Sequence, residues 1–471
     1  MRPLLLVLAM TTLTATAAEP ALTIYRADGN ALFTPGSQPV ADGHAVVHED
    51  RTLTLAGGRE TLAIDGLPAL LDAEAVTLDL GGAGRMLAQR IITAGDAGLL
   101  AAHRGERVTV LDDSGRSIVA GTLVAVEGGN LVVRTDDGRS SYVREFARLE
   151  FDGGSARPGS TLQVAIDGRA GQATARLTYP TTGLGWRAAY SGMLSGTGRS
   201  CQMHLTSLAS IANRSGRDYS GAQLKLIAGS PNFAGSNAYI PRAPMAMKAL
   251  ADAPDAPPAQ EALGDYRSYA VGGSLDLPDG SITQVPLYAG MDVSCERSWV
   301  FESGGRWFPP KPMLTPTGGS GSVIDARLAF TARENVPAGT LRLSLQGADG
   351  RSEFVGESRI ADTAKGRQVD VSLGQAFELS ADREATRFEV DRAARQLDQA
   401  FRITLSNAGE QERTVTVREH PNQWRNWVLQ SSSVKPARQT PDTLEFKVAV
   451  PANGTATLDY AVRFSWSADE E

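Results

Sequence analysis

After its first twenty residues the chain alternates apolar and polar residues, with a repeat of two positions. The alternation is clear at 22–25 (LTIY), 51–55 (RTLTL) and 60–64 (ETLAI). Successive side chains of a β-strand point to opposite faces of the sheet, so this repeat is typical of half-buried strands. Turn-forming pairs such as Gly57-Gly58 separate the segments. We predict a first β domain over residues 19–95.

A second block begins with helical character and continues with short strands. Residues 84–104 place Met86 and Ile91 among other apolar residues at spacings that favour a short helix. Alternating segments follow between residues 107 and 143. About four or five short strands joined by hairpin-sized turns are typical of a small curled sheet or barrel. We predict such a sheet over residues 96–152.

Strand patterning resumes near residue 158 and continues to the end of the chain. Such segments recur about every 8 to 12 residues with turn signals between them, which favours β-sandwiches over residues 153–471. Residues 231–263 interrupt the pattern with prolines interleaved among alanines, and we predict a disordered loop there. The predicted fold class is mainly β, with several small β-sandwich or barrel-like domains and one short helical segment.

The N-terminus has the pattern of a secretory signal peptide. Arg2 precedes the apolar run 4–10, and small residues lead to Ala17 and Ala18. The run is too short to span a bilayer, which needs about 20 residues; the alternative is a buried N-terminal strand or helix. We expect a signal peptide over 1–18, cleaved near Ala17 or Ala18, and a periplasmic or secreted protein. No later segment predicts a transmembrane helix.

The net charge of the chain limits the classes of molecule that it is expected to bind. The formal net charge is −7, and the basic residues form no cluster along the sequence. Proteins that bind nucleic acid or anionic membranes need a basic surface. We therefore expect neither as the main partner. An envelope protein or a glycan, unidentified by the sequence, is the expected partner.

Cys201 and Cys295 are the two cysteines of the chain. In a cytosolic enzyme such residues act as reactive thiols or ligands, whereas in an exported chain an isolated pair is more often a disulfide. A bridge would close a loop of about 94 residues, worth roughly 4 to 5 kcal/mol in the chain-entropy model. The sequence does not show whether their Cα atoms approach closely enough, so both interpretations stay open.

Residue types and spacings predict no catalytic, cofactor-binding or metal residue. His44 and His48 lie in a strand pattern, where residues four apart are about 13 Å from each other, too far to share a metal. The sequence contains no Gly-x-Ser-x-Gly motif, and the run 318–322 (GGSGS) lacks the apolar helix that would follow a nucleophile. No glycine-rich loop precedes a helix that starts with Lys-Ser or Lys-Thr.

Trp424 and Trp427, with Arg425 between them, are candidates for a ligand-stacking surface, and Trp307 lies elsewhere in the sequence. Exposed indole rings stack on sugars. Packing in the core or at a sheet edge explains the same residues equally directly. Both interpretations remain at this point.

Five phrases in the second half of the chain follow one another in a characteristic order. The first contains Gly-x-Gly-Trp-Arg-Ala-x-Tyr, and the five occupy residues 179–190, 213–226, 277–287, 335–366 and 417–466. Together they resemble the domain-of-unknown-function 4139 family, over roughly 158–466. The resemblance implies an exported β-sandwich protein of undetermined activity and identifies no catalytic residue. Distant mucoidy-inhibitor-A-like relatives carry a preceding coiled coil, and this chain has no heptads there.

These features favour a non-enzymatic periplasmic protein with a binding, structural or interaction role. The alternative is a carbohydrate-active binder or hydrolase of envelope polysaccharide, which would use exposed tryptophans beside Asp or Glu. A third hypothesis is an interaction module that binds through the loop 231–263. A cleft that holds Trp424 or Trp427 beside two carboxyls of strongly shifted pKa would favour the second hypothesis, and burial of both tryptophans without such a cleft would end it.

Overall fold

The structure is a computed structural model, and it describes part of the chain. The described residues are 19–36, 38–94, 100, 103–127, 129–151, 159–196, 198–229, 231, 259–264, 266–316, 323–347 and 349–470. The mainly β prediction is confirmed, since these residues form strands and one short 3₁₀ helix, Ala468–Glu470. The expected signal peptide lies outside them.

The strands in chain order are β1 Ala21–Tyr25, β2 Ala45–Leu55, β3 Gly58–Leu67, β4 Thr77–Asp79, β5 Gly84–Ile92, β6 Arg107–Leu111, β7 Ser117–Glu127, β8 Asn130–Arg134, β9 Ser140–Val143, β10 Arg148–Phe151, β11 Ser160–Gly168, β12 Gly171–Thr181, β13 Leu184–Ser195, β14 Ser200–Asn213, β15 Tyr219–Ala228, β16 Ala259–Leu263, β17 Tyr266–Leu277, β18 Ser281–Ser303, β19 Val323–Thr331, β20 Gly339–Gln346, β21 Ser352–Ile360, β22 Gln368–Asp391, β23 Gln396–Asn407, β24 Arg413–Glu419, β25 Trp427–Ser432, β26 Arg438–Thr440, β27 Thr443–Val450 and β28 Gly454–Ser465.

The chain divides into two compact units, each discontinuous in sequence. Unit 1 comprises Met1–Ala188 and Leu208–Tyr288, and unit 2 comprises Ala189–Ser207 and Ala289–Glu471. The divisions fall within strands β13, β14 and β18. Within the described part of the chain, no helix has the length and apolar character that a membrane span requires.

Unit 1 is built around a seven-stranded sheet of order β16-β17-β15-β1-β2-β12-β4. Its centre joins strands from distant parts of the sequence. Leu22 of β1 lies opposite Leu224 of the parallel strand β15 and opposite Val47 of the antiparallel strand β2. All three residues are buried, so the period-two pattern places their side chains on the core face.

The predicted helical character at 84–104 is wrong for its first part. Gly84–Ile92 form strand β5, which pairs with β11 in the three-stranded sheet β3-β11-β5. The adjacent Met86 and Leu87 are 43% and 42% exposed, because consecutive strand residues lie on opposite faces and neither face is fully covered here. Long-range pairing outweighs the weak helical pattern. Residues 95–99 and 101–102 lie outside the description.

Strands β6 to β10 form a five-stranded antiparallel sheet of order β10-β6-β7-β8-β9. A small core of its own includes Val108, Val110, Leu123, Leu131 and Val133, all 0% exposed. The outer strands β9 and β10 do not pair with each other among the described residues, so the sheet is open rather than a closed barrel.

The predicted disordered loop at 231–263 lies largely outside the described residues, which omit 232–258. Its last five residues differ from the prediction, because Ala259–Leu263 form the edge strand β16 and pair antiparallel with β17. Backbone hydrogen bonds to β17 allow residues 259–263 to form a strand, although these residues themselves show little alternation of apolar and polar side chains.

Unit 2 contains a sandwich core between two groups of strands. On one side, β23 pairs antiparallel with both β22 and β28. On the other side β24 pairs parallel to β18 and antiparallel to β27. Inward side chains of both groups form one cluster that includes Phe301, Phe401, Phe446, Leu458 and Phe464. Alternate outward positions are polar, as the sequence pattern requires.

Candidate functional site

The two tryptophans predicted as stacking candidates lie in different environments. Trp424 is 1% exposed and belongs to the core of unit 2, so it offers no ring face to a ligand and the stacking interpretation is wrong for it. Trp427 is partly buried against the same core, and its Nε1 donates a hydrogen bond to the Pro441 carbonyl at 2.7 Å. Both residues therefore have evident packing roles.

Cys201 of β14 and Cys295 of β18 are joined by a disulfide in unit 2, with their Cα atoms 4.9 Å apart. Both residues are buried, at 5% and 7% exposed. The bond cross-links strands that are neighbours in the sheet.

His44 and His48 do not converge on a shared ligand. His48 lies in β2 and its Nδ1 is 2.9 Å from the Thr178 hydroxyl, whereas the His44 ring packs 5.4 Å from Tyr25. Burial lowers the pKa of His44 to about 4, which keeps the ring neutral at neutral pH. Among the described residues, no group of three or more His, Cys, Asp or Glu could hold a metal ion.

A polar network in unit 2 gathers residues that are distant in sequence. His420 directly follows β24, and its backbone N–H donates to the Ser303 carbonyl at the end of β18 at 3.0 Å. Its ring Nε2 is 2.8 Å from Glu302 Oε1, and its Nδ1 is 2.7 Å from the Asp442 carbonyl oxygen. Both ring nitrogens thus have oxygen atoms within hydrogen-bond distance, so the ring is held on both sides.

Arg418 completes this network. Its Nη1 donates to Glu302 Oε2 at 3.1 Å and its Nε donates to Glu445 at 2.7 Å. Burial alone would raise the pKa of Glu302, but the hydrogen bond from His420 and the charge of Arg418 outweigh it and lower that pKa. A hydrogen bond from Thr440 likewise lowers the pKa of Asp442. Both carboxyls are therefore ionised at neutral pH.

An exposed aromatic residue lies beside the network on a loop that requires glycine. Gly304 has φ of +83°, and a Cβ there would lie 2.6 Å from the His420 carbonyl oxygen. A Cβ on Gly305 would lie 2.7 Å from Cδ1 of Trp307. Trp307 is nevertheless 54% exposed, so the indole lies against the Gly305 backbone on one side and reaches solvent on another.

Polar side chains belong to the same loop and to the chain beside Gly305. Arg306 lies 3.8 Å from Glu302, and the Asn422 amide nitrogen lies 3.7 Å from the position of a Gly305 Cβ. We call Glu302, Arg306, Trp307 and Asn422 the Trp307 surface. It combines an apolar face with donors and acceptors at its margin, which suits binding of a ligand that is itself partly polar.

The sequence pattern singles out Trp307 but not the residues of the polar network near it. Glu302 lies near the end of β18, His420 directly follows β24 and Asp442 directly precedes β27, so their approach depends on these strands pairing side by side. The local signal was the run Gly304-Gly305-Arg306-Trp307, in which two glycines precede a large aromatic residue.

The family comparison covers this whole surface. A family model described as domain of unknown function (DUF4139) matches residues 175–468. The chain belongs to the DUF4139 family. None of the curated proteins compared with the chain matches it. The DUF4139 region contains the disulfide, Trp307 and the His420 network, so these features lie in the part of the chain that defines the family.

Proposed function

We propose that this DUF4139 protein is an exported protein of the bacterial envelope that binds a partner through the Trp307 surface and does not act as a catalyst. The observation that carries the proposal is the exposed Trp307, which lies against Gly305 on the loop that follows Glu302. An aromatic side chain has two rotatable bonds and so loses little conformational entropy on binding, which is why tryptophan is frequent among residues that dominate interfaces.

Export to the periplasm or the outside is supported by two features. The first 18 residues have the pattern of a signal peptide. The Cys201–Cys295 disulfide suits an oxidising compartment, since cytosolic thiols are kept reduced.

A binding role is favoured over hydrolysis by the electrostatics of the carboxyls. A glycosidase needs one carboxyl with a raised pKa as the general acid. Glu302 and Asp442 instead have lowered pKa values, and Glu419, whose pKa is raised by burial, is only 2% exposed and so offers no acid to a ligand. Of the carbohydrate-active alternatives, the binder is therefore the stronger, because an indole with polar groups at its margin suits a sugar ring whose two faces are apolar and whose edge carries hydroxyls.

The test is crosslinked capture of partners from periplasm with Trp307→Ala. We expect about tenfold less captured partner than with the wild type, the size typical of losing an interface anchor. Phe354→Ala is the matched control, because Phe354 is another exposed aromatic residue of unit 2, 64% exposed. Equal capture by all three proteins, with unchanged melting temperatures, would rule out the Trp307 surface. A glycan array probed with the same proteins distinguishes a glycan from a protein partner.

A further inference from the structure

Arg297 and Arg413 of unit 2 are both near Trp299, and neither has, among the described residues, the acidic partner that many arginines of this unit have. Arg297 is on β18, two residues before Trp299, and Arg413 begins β24. Trp299 lies opposite Val415 in the parallel pairing of these strands. Residues two apart in a strand lie on one face, so Arg297 and Trp299 share a face of β18, and Arg413 lies two residues before Val415 on the paired strand.

The guanidinium of Arg413 stacks on the indole of Trp299. Its Cζ lies 4.5 Å from the ring centroid. Stacking occupies the flat face of a guanidinium and leaves the N–H groups at its edge directed outward in the plane. Such an edge is the geometry that binds carboxylate and phosphate oxygens in pairs.

Arg297 is half-buried, and its Nε and Nη2 are shielded from solvent without a hydrogen-bond partner. In the described part of the chain, neither Arg297 nor Arg413 forms an ion pair with a carboxylate. Burial, and then the nearby charge of Arg413, lower the pKa of Arg297. Two positive charges thus lie close together where one side is desolvated, and an anion there would relieve their repulsion.

Other arginines on strands of the same unit differ. Arg402 pairs with Asp459 at 2.8 Å, and Arg463 pairs with Asp398 at 2.6 Å. Cross-strand neutralisation is therefore the common arrangement in this sandwich, and the Arg297–Arg413 pair departs from it.

We propose that Arg297 and Arg413 form a binding site for an oxyanion, the carboxylate or phosphate group of a ligand. The site is separate from the Trp307 surface in the residues that form it, so either proposal can fail without the other. A carboxylate would come from an acidic sugar such as a uronate, and a phosphate from free inorganic phosphate or a phosphorylated envelope component.

The test measures binding of two probes, inorganic phosphate and glucuronate, to the full exported chain by calorimetry, at constant ionic strength set with chloride. We expect at least one probe to bind the wild type, and Arg413→Gln to weaken that binding by about tenfold, the size of a lost charge-assisted hydrogen bond. The probe that binds more tightly identifies the source of the oxyanion.

Arg402→Gln is the matched control, because it removes one positive charge from the same unit at a paired position. It should leave the affinity within about twofold of the wild type, since exposed paired charges act weakly at a distance. Arg413→Lys should recover part of the affinity, as charge is kept and the paired N–H edge is lost. Equal loss in Arg402→Gln and Arg413→Gln, or no binding of either probe to the wild type, overturns the proposal.

Discussion

Each unit contains a buried cluster of glutamate, arginine and tyrosine, and the two clusters differ in charge balance. In unit 1, Glu49 of β2 is 1% exposed and accepts hydrogen bonds from Arg217 at 3.0 and 2.8 Å. Arg51 adds a bond at 3.1 Å, and the Tyr179 hydroxyl donates at 3.3 Å. The carboxylate of Glu49 thus accepts hydrogen bonds from two arginines and one hydroxyl.

In unit 2, Glu419 at the end of β24 is 2% exposed. Nε of Arg383 in β22 donates to Oε1 at 3.2 Å and its Nη2 donates to Oε2 at 2.9 Å, and the Tyr460 hydroxyl donates to Oε2 at 2.5 Å. The Arg383 guanidinium stacks 3.5 Å above the Phe401 ring. Here one arginine among the described residues bonds to the carboxyl.

The pKa values of the two carboxyls move in opposite directions. Burial raises the pKa of both, but in Glu49 the hydrogen bonds and charges of Arg217 and Arg51 outweigh burial and lower it. In Glu419 burial outweighs Arg383 and the pKa is raised. The comparison teaches that a second arginine decides whether a fully buried carboxyl in this protein stays firmly ionised.

We expect the largest change in stability from removing the disulfide of unit 2, a cross-link that the described part of unit 1 lacks. Replacing Cys201 and Cys295 together by alanine should lower the free energy of unfolding by about 4 to 5 kcal/mol, because the disulfide closes a loop of 94 residues. Urea unfolding monitored by hydrogen exchange in each unit measures this loss.

The same variant tests whether the units unfold separately. Most of the closed loop belongs to unit 1, and if unit 1 stays folded while unit 2 opens, about 14 residues of loop remain and the loss in unit 2 is about 3 kcal/mol. Reduced wild type is the control and should match the double variant. A loss below about 1 kcal/mol would contradict the loop-closure argument.

The next effect separates the two clusters directly. Glu49→Gln leaves Arg51 and Arg217, 13% and 15% exposed, without a counter-charge. We expect a loss of about 3 kcal/mol, typical of breaking a buried ion pair. Glu419→Gln should cost less, about 1 to 2 kcal/mol, because the amide keeps a hydrogen-bond acceptor and one arginine is left.

Urea midpoints of the two variants give the comparison. Glu384→Gln is the control for Glu419→Gln, since Glu384 is a carboxyl on the outward side of β22 next to Arg383. A larger loss for Glu419→Gln than for Glu49→Gln would reverse the charge-balance argument.

Sequence reasoning could find the strands and not their partners. The alternation in 51–55 comes from residues two apart, so β2 was visible locally. Glu49 contacts Arg217, which is 168 residues away, and Tyr179, which is 130 away. No local pattern encodes such separations. Residues 84–92 show the converse, because pairing with the distant β11 fixed a strand that the local pattern did not favour.

The candidate site was predictable to a similar degree. Trp424 and Trp427 are close in sequence, but position 424 belongs to the core of unit 2 and is buried. Trp307 became the better candidate once its exposure and its contact with Gly305 were known. Exposure depends on which strands cover a residue, and that is a property of the assembled sandwich.

The smallest effect is the pH dependence of the two clusters, and its sign differs between them. Glu49 has a lower pKa folded than unfolded, so the stability it provides is present above the unfolded value near 4.5 and is lost as pH falls through the folded pKa. Glu419 has a higher pKa folded, so the folded state takes up its proton first and gains stability as pH falls from the folded pKa toward 4.5. The stability difference between wild type and Glu419→Gln should therefore grow in favour of the wild type as pH falls from 7 toward 4.5, whereas the difference for Glu49→Gln should shrink below 4.5. Subtracting each variant cancels the other titrating groups. If the unfolding free energies of the two variants changed with pH in parallel over this range, the second arginine would not be what separates the pKa values of Glu49 and Glu419.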